Sequence, residues 1–258
     1  MRYTTFLKND PDCLVIEKEL KKRLTLEYDD ENPDLVITIG GDGTTLGAIH
    51  KYVDKLDKVK FISFNAGHLG FFSSFNKDEM DAFVEYIEKE EFTYDSLGLI
   101  KYEIETTTQG IISGYAVNEV TLVNPRRTLI MDAFVNDNHF EHYRGTGMCI
   151  STPVGSTGYN KSLHGAVILP SNDVFQMTEI ASINSNLYHT LSSPLILGKK
   201  DVIELTTESN RELWITADSI SLTFQDFKSI RIKLADKKAL LINRNISYLD
   251  RVKKNFIL

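Results

Sequence analysis

One carboxylate stands inside a glycine-rich turn. Asp42 is surrounded by Gly40, Gly41 and Gly43, and Thr44 follows. Glycines leave peptide N–H groups open to an anion, and a helix start adds unpaired N–H groups and the positive end of a dipole. The turn therefore predicts a phosphate site. In a plain phosphate cradle Asp42 would repel the phosphates. In a site that moves a phosphoryl group, it can accept a proton from the attacking hydroxyl or help to hold a metal ion.

The spacing alone leaves a second reading of Asp42 open. An Asp in a tight strand-to-helix turn often caps the helix. The turn also half-matches a dinucleotide-binding fingerprint, but Leu46 stands where the third glycine belongs, and a lone near-match is weak. The sequence contains no Walker pattern ending in Gly-Lys-Ser/Thr.

A second group of polar residues lies between Arg144 and Ser162, where glycines, hydroxyls, an amide, an aromatic ring and a lysine are crowded together. Such groups suit nucleoside recognition, because hydroxyls and backbone groups bind ribose and base edges and the ring offers a stacking face. The alternative is a Ser/Thr-rich turn that joins two strands. A serine-hydrolase elbow is excluded by the spacing around Ser156. The pair Asn118-Glu119, at the start of a predicted strand, is a weaker candidate for holding a ribose diol.

The first motif sits in a strand-turn-helix pattern. Residues 35–39 predict a buried strand, and a helix follows the turn from Leu46 to about Leu56. A second strand at 60–64, a glycine-bearing loop at 65–72 and a helix at 78–89 repeat the order. This order is typical of a Rossmann-like α/β domain with a parallel sheet, whose ligands bind at the carboxyl ends of the strands.

From about residue 97 the pattern changes to short strand-like runs separated by turns, which predicts a mostly antiparallel β domain. A helical signal interrupts it at Asp173 to Ser182. The tail from Ala239 is predicted to return to the first domain as strand and helix. The expected domains are therefore 1–96 together with about 239–258, and 97–238.

Composition sets limits on the function. The 258 residues have room for one large domain or two modest ones, and the net charge of −7 argues against a general nucleic-acid binder. Two distant cysteines suggest neither a disulfide framework nor a cysteine metal site. No run approaches a membrane span and the first residues lack a signal-peptide core, so we expect a cytoplasmic protein without membrane or nucleic-acid partners. His139 and His142 lack a third ligand, so no protein metal site is predicted.

Together the motifs resemble the NAD kinase (ATP-NAD kinase) family of the bacterial type, which transfers a phosphoryl group from ATP to the 2′-hydroxyl of the adenosine ribose of NAD. The resemblance covers about residues 35 to 220. It rests on four segments in this order: Gly40 to Thr44, Gly67 to Phe71, Asn118-Glu119, and Ser151 to Asn160. Diacylglycerol kinase-like lipid kinases and phosphofructokinases carry related glycine-Asp turns, and the long Ser-Thr-Pro segment is the specific one.

The resemblance implies a role for each matching residue. Asp42 would be the general base, with Gly43 in the same site, and Asn118 and Glu119 would bind the NAD ribose and its surroundings. Further NAD contacts would come from Arg144, Thr146, Thr157, Gly158, Tyr159, Asn160, Lys161, Ser162 and Ala181. Possible additional site residues are His68, Phe72 and Asp218.

The resemblance also implies a β-sandwich as the second domain, a homodimer or homotetramer, and a divalent cation. Mg²⁺ held mainly by the ATP phosphates is expected. Three residues depart from many relatives: Thr146 replaces Asp, Gly158 replaces Ala and Phe72 lacks a tyrosine hydroxyl. A diacylglycerol kinase-like lipid kinase and a non-catalytic nucleotide sensor are the alternatives.

Overall fold

The computed structural model describes residues 1–67, 70–207 and 212–258. His68, a possible site residue, therefore lies outside the described residues. The chain divides into two compact units, Met1–Leu97 with Lys237–Leu258, and Gly98–Asp236. No described helix has the length and apolar character to cross a membrane.

The first unit begins with eight strands and helices. They are β1 (Arg2–Leu7), α1 (Pro11–Arg23), β2 (Glu27–Tyr28), β3 (Leu35–Ile39), α2 (Asp42–Lys51), β4 (Lys60–Asn65), β5 (Phe75–Asn76) and α3 (Met80–Lys89). Short 3-10 helices follow α2 and precede α3. The predicted strand-turn-helix order is confirmed, although α2 begins at Asp42, earlier than expected.

The sheet of the first unit is parallel. Its order is β2-β1-β3-β4, with β5 also beside β4. All five residues of β3 are buried, as expected for a parallel strand covered on both faces. Because the strands are parallel, β1, β3 and β4 end at the same edge, and the glycine turn lies there.

The second unit is built almost entirely of strands. In chain order they are β6 (Thr93–Thr106), β7 (Ile111–Ala116), β8 (Glu119–Val123), β9 (Leu129–Val135), β10 (Asn138–Gly145), β11 (Gly147–Ser151), β12 (Val174–Ile180), β13 (Leu195–Gly198), β14 (Ile203–Thr206), β15 (Leu213–Ala217), β16 (Ile220–Phe224) and β17 (Phe227–Asn243). One short helix, α4 (Tyr159–Ser162), lies between β11 and β12. The first strand of this set begins, and the last ends, in the first unit.

Two antiparallel layers form this second unit. One contains β10-β9-β14-β17, and the other has six strands in the order β13-β12-β11-β8-β15-β16. Buried side chains of both layers, such as Met131 of β9 and Ile150 of β11, share one hydrophobic core. The mostly antiparallel prediction is confirmed, and the shared core makes the unit a β-sandwich.

The helix predicted at Asp173 to Ser182 is wrong. This stretch is β12, paired on one side with β11 and on the other with β13. Phe175 and Met177 are two residues apart and both enter the core, which is the period of a strand. The ladder partners on both sides decide the conformation, and a local helical signal does not contain them.

The tail returns to the first unit, as predicted. Leu240 and Leu241 of β17 pair in parallel with β4, and helix α5 (Tyr248–Phe256) follows. The Ser247 side chain caps α5 by accepting the Asp250 N–H at 3.1 Å. Buried Arg251 forms an ion pair with Asp95 at 2.8 Å.

Candidate active site

The turn between β3 and α2 uses its glycines in two ways. Gly40 has φ of +150°, and a Cβ there would lie 2.3 Å from Thr44 Oγ1, so glycine is required by the fold. Gly41 has an ordinary φ of −96°. Among the described residues, no atom would lie within 4 Å of a Cβ on Gly41 or Gly43. Nothing in the described part of the chain therefore requires glycine at these two positions, and the space beside them is open to it.

Asp42 is the first residue of α2 and does not cap it. Gly41 is the N-cap, and no side chain that the structure describes makes a capping hydrogen bond there. The Asp42 carboxylate instead accepts the Phe71 N–H at Oδ2 (2.8 Å) and the Phe72 N–H at Oδ1 (2.9 Å). The capping interpretation of Asp42 is thus wrong. Each carboxylate oxygen keeps acceptor capacity for a further donor, such as a substrate hydroxyl.

The loop that holds Asp42 has little space to spare. A Cβ on Gly70 would lie 2.4 Å from Asp42 Oδ1, so only glycine allows the backbone to come this close. The Gly70 N–H donates to Ser73 Oγ at 2.8 Å, which tightens the turn. The Phe72 side chain is buried, so Phe72 contributes a backbone donor and a core ring here.

A cleft of about 260 Å³ lies at the carboxyl ends of β1, β3 and β4. Its lining consists of Lys8, Asp10, Asp12, Cys13, Gly40, Gly41, Asn65, Ala66 and Gly67. Sequence reasoning missed Lys8 and Asp10, because β1 was not recognised as a strand of the sheet. Their position directly after a strand of this parallel sheet is the signal that would have found them.

In the second unit, Asp218 organises the start of β8. It lies in the turn between β15 and β16 with φ of +51°. Its carboxylate accepts the N–H groups of Val117, Asn118 and Glu119 at 2.8, 2.7 and 3.2 Å. Asp218, a possible site residue in the sequence, therefore acts on the Asn118-Glu119 pair by fixing its backbone.

The Glu119 carboxyl is held away from water. Within the described parts of the chain, its Oε2 atom is buried and has no hydrogen-bond partner. Burial, with the charge of Asp218 as a second cause, raises the pKa of Glu119 to about 7. Near neutral pH a large fraction is protonated and can donate a hydrogen bond. A Cβ on Gly158 would lie 3.3 Å from Oε2, so Gly158 leaves room beside this carboxyl.

The Ser-Thr-Pro segment folds against the Asn118 backbone. The Thr152 hydroxyl donates to Val117 O at 2.6 Å and accepts the Gly155 N–H at 3.0 Å. A Cβ on Gly155 would lie 2.1 Å from Asn118 O, which explains the glycine by close approach. A 3-10 helix (Gly155–Thr157) and α4 then place Tyr159 with 44% of its surface exposed. The structure thus brings the Asn118-Glu119 pair, Gly158 and Tyr159 together.

The remaining candidate residues in and beside α4 differ in burial. Asn160 is fully buried, and its Oδ1 accepts the Thr178 hydroxyl at 2.7 Å. Its Nδ2 is buried without a hydrogen-bond partner in the described ranges. Lys161 and Ser162 are exposed, whereas Thr157 is half-buried with its hydroxyl donating to Val154 O at 3.1 Å.

Arg144, Thr146 and Ala181 lie around the junction of β10 and β11. The Arg144 guanidinium stacks 3.8 Å from the centre of the Tyr188 ring. Thr146 is exposed, and its N–H donates to Ile180 O at 3.0 Å. Ala181 has φ of +48°, an angle that is uncommon for alanine.

No group of three or more His, Cys, Asp or Glu within the described ranges is arranged to hold a metal ion. His139 and His142 both contact Asp132 Oδ1, at 3.0 and 2.9 Å. A β-bulge between His139 and Glu141 brings the two rings to the same carboxylate.

Two family profiles match the two parts of the chain. The ATP-NAD kinase N-terminal domain matches residues 4–92, and the ATP-NAD kinase C-terminal domain matches residues 117–244. The chain is 39% identical over 234 residues to NAD kinase 1 of Listeria monocytogenes, covering 90% of this chain and 89% of that protein. It is 40% identical over 234 residues to the NAD kinase of Geobacillus stearothermophilus, with 90% and 86% covered.

Solved structures agree on the fold. Yeast NADH kinase, crystallised with NADH, superposes with a TM-score of 0.84 at 18% identity, covering 99% of this chain and 87% of that one. An NAD kinase from Archaeoglobus fulgidus, crystallised with ATP, gives a TM-score of 0.74 at 22% identity, with 99% and 97% covered. At such identities the superpositions establish the fold, while the profiles and bacterial relatives establish the family. The chain belongs to the NAD kinase family.

Proposed function

We propose that this chain transfers the γ-phosphoryl group of ATP to the 2′-hydroxyl of the adenosine ribose of NAD, with Asp42 as the general base. The observation that carries the proposal is the setting of the Asp42 carboxylate. It stands at the start of α2 beside open glycine backbone, held by two N–H groups and not used as a helix cap. A carboxylate fixed in this way at a phosphate-binding turn suits proton acceptance from an attacking hydroxyl.

The proposed reaction transfers the γ-phosphoryl group directly to the 2′-hydroxyl. The 2′-hydroxyl gives its proton to an Asp42 oxygen as its own oxygen forms a bond to the γ-phosphorus. The bond from that phosphorus to the oxygen bridging to the β-phosphate breaks, and ADP leaves with the electron pair. Phosphoryl transfer depends mainly on positioning and on neutralising charge. The exact placement of Asp42 by Phe71 and Phe72 is therefore part of the proposed mechanism.

The phosphates of ATP are proposed to approach the turn from Gly40 to Thr44. The open space beside Gly41 and Gly43 and the first-turn N–H groups of α2 support this assignment. ATP-dependent phosphoryl transfer needs a divalent cation, which neutralises charge on the phosphates when bound. We propose Mg²⁺ held mainly by the phosphates. Asp42 keeps acceptor capacity for such an ion, and Mg²⁺ is commonly held by phosphates and one or two carboxylates.

NAD is proposed to bind through the second unit. Asn118 and Glu119 would contact its ribose, and Tyr159 would offer a ring face. Further contacts are proposed for Arg144, Thr146, Thr157, Gly158, Asn160, Lys161, Ser162 and Ala181. The buried Asn160 would act by holding α4 in place through Thr178. The proposed domain limits remain 1–96 with about 239–258, and 97–238.

We also propose a cytoplasmic homodimer or homotetramer. Light scattering of the purified protein would test the assembly, and a monomer at micromolar concentration would contradict it.

The lipid-kinase alternative is not favoured, because the profiles that match both parts of the chain are those of ATP-NAD kinases. A sensor in which Asp42 serves only as a helix cap is not favoured either, because Asp42 makes no cap.

The activity is tested by NADP⁺ formation from NAD⁺, ATP and Mg²⁺, run beside phosphate incorporation into diacylglycerol vesicles. We expect NADP⁺ and no labelled lipid. Labelled lipid without NADP⁺ would contradict the proposal. Binding of NAD by the folded protein with no turnover would favour the sensor.

A further inference from the structure

Helix α5 contacts the loop that holds Asp42. The ring of Tyr248, its first residue, lies edge-to-face on the ring of Phe71, with centroids 5.0 Å apart at 74°. The Phe71 N–H is one of the two donors to the Asp42 carboxylate. The Phe71 ring also meets that of Phe72, whose N–H is the other donor, at 6.3 Å. One ring contact therefore connects α5 to the peptide that holds the proposed base.

The position of Tyr248 is fixed by other contacts of α5. Ser247 caps the helix through the Asp250 N–H. One turn further on, the buried Arg251 side chain forms an ion pair with Asp95 of β6 at 2.8 Å. This ion pair, in which the arginine is buried, connects α5 to β6. The Tyr248 ring is thus held in place where it packs on Phe71, which is itself only half-buried.

We propose that Tyr248 is a positioning residue for phosphoryl transfer. Its ring holds Phe71 in place, and the Phe71 N–H in turn holds the orientation of the Asp42 carboxylate. The inference rests on the proposed role of Asp42 as general base. A base acts only within hydrogen-bond reach of the hydroxyl, so a loosened carboxylate slows the transfer step. Tyr248 belongs to the first unit, whereas NAD binding is proposed for residues of the second unit, so kcat changes more than the KM for NAD.

The first experiment compares three variants of the full chain. In Tyr248→Ala we expect kcat to fall between about tenfold and about a hundredfold, with the KM for NAD within about twofold of wild type. Tyr248→Phe keeps the ring and restores kcat, because the contact with Phe71 is made by the ring. Leu249→Ala is the matched control on the same helix, where 60% of Leu249 is exposed, and keeps the wild-type kcat.

A double variant separates positioning from general stability. If Tyr248 acts through Asp42, adding Tyr248→Ala to Asp42→Asn slows the residual reaction no further than Asp42→Asn alone. All rates are taken well below the melting temperature of each variant. An equal extra loss in the Asp42→Asn background would overturn the inference. So would a Tyr248→Ala enzyme that melts earlier but keeps the wild-type kcat.

The same variants distinguish a failure of the proposed general base from a failure of the proposed positioning residue. If Asp42→Asn keeps the wild-type rate, the general-base role itself is wrong, whatever Tyr248 does. If Asp42→Asn is slow while Tyr248→Ala turns over like Leu249→Ala, only the role of Tyr248 is wrong.

Discussion

The side chains of Asp42 and Asp218 each accept backbone N–H groups of another segment. Asp42 accepts two from the 70–72 loop, and Asp218 accepts three at the start of β8. Hydrogen bonds to a charged acceptor are stronger than those between neutral groups. Each carboxylate therefore fixes a local backbone conformation. Asp42 also borders the open glycine turn, and this position distinguishes a catalytic candidate from a positioning one.

Glu119 is the residue whose charge depends most clearly on pH. Its pKa is raised from 4.5 to about 7, so the neutral form is favoured in the folded protein. The resulting stability is fully present below about pH 4.5 and is lost as the pH rises through 7. The shift of the Glu119 pKa corresponds to about 3 kcal/mol. Glutamine does not titrate, so the Glu119→Gln variant does not lose this stability as the pH rises. Relative to wild type, the variant therefore gains free energy of unfolding between about pH 5 and about pH 8.

Urea unfolding of wild type and Glu119→Gln at about pH 5 and about pH 8 measures this change in the free energy of unfolding. Glu103→Gln is a control whose difference from wild type stays constant over this pH range, because the Lys101 side chain lowers the pKa of Glu103 below its ordinary value. The stability that this pair adds is fully present above the unfolded pKa of Glu103 and is lost only as the pH falls below about 5. A difference between wild type and Glu119→Gln that does not change with pH would contradict the buried, raised-pKa state of Glu119.

At the scale of elements, the turn between β3 and α2 contains two kinds of glycine. The fold requires glycine at one position and does not require it at another. Gly40 must be glycine because of its φ and its contact with Thr44. Gly41 has an ordinary backbone angle, and no atom of residues 1–67, 70–207 or 212–258 would crowd a Cβ there. A glycine that the fold does not need is explained when a ligand approaches the backbone there.

The two neighbouring glycines give a matched pair of variants. Gly41→Ala is expected to change the free energy of unfolding by less than about 1 kcal/mol, while the KM for ATP rises because the methyl group occupies the phosphate space. Gly40→Ala is expected to lose about 1–3 kcal/mol, because an alanine at this φ is strained and meets Thr44. Thermal melts and ATP kinetics measure both effects. A Gly41→Ala enzyme with unchanged ATP kinetics would contradict the assignment of the phosphates to this turn.

At the scale of the whole molecule, the sequence predicted local patterns better than long-range pairings. The strand-turn-helix of the first unit follows from a buried apolar run and glycines, which are local signals. The conformation of residues 174–180 depends on ladders with β11 and β13, and it was predicted wrongly. The full length of β17, which pairs with β14 near one end and β4 near the other, was likewise not visible as one strand.

The site shows the same limit. The residue types of Asp42, Asn118 and Glu119 were recognisable from their motifs. Their partners were not, because a backbone N–H donor such as that of Phe71 has no side-chain signature. The proximity of Tyr248 to that loop joins residues more than 170 positions apart, so only the fold reveals it.

The role of Asp42 is tested by the single-turnover rate of NADP⁺ formation by Asp42→Asn, with NAD⁺ and ATP·Mg²⁺ saturating. We expect the rate to fall by about 10² to 10⁴, the usual contribution of a positioned base. The asparagine amide also leaves the Phe71 or Phe72 N–H unpaired, so a loss of about 1–3 kcal/mol in the free energy of unfolding accompanies it. The assay temperature therefore stays below the melting point of the variant.

We expect a folded Asp42→Asn protein that binds NAD and is slower by this factor. A rate near that of wild type would show that Asp42 does not take the proton from the 2′-hydroxyl.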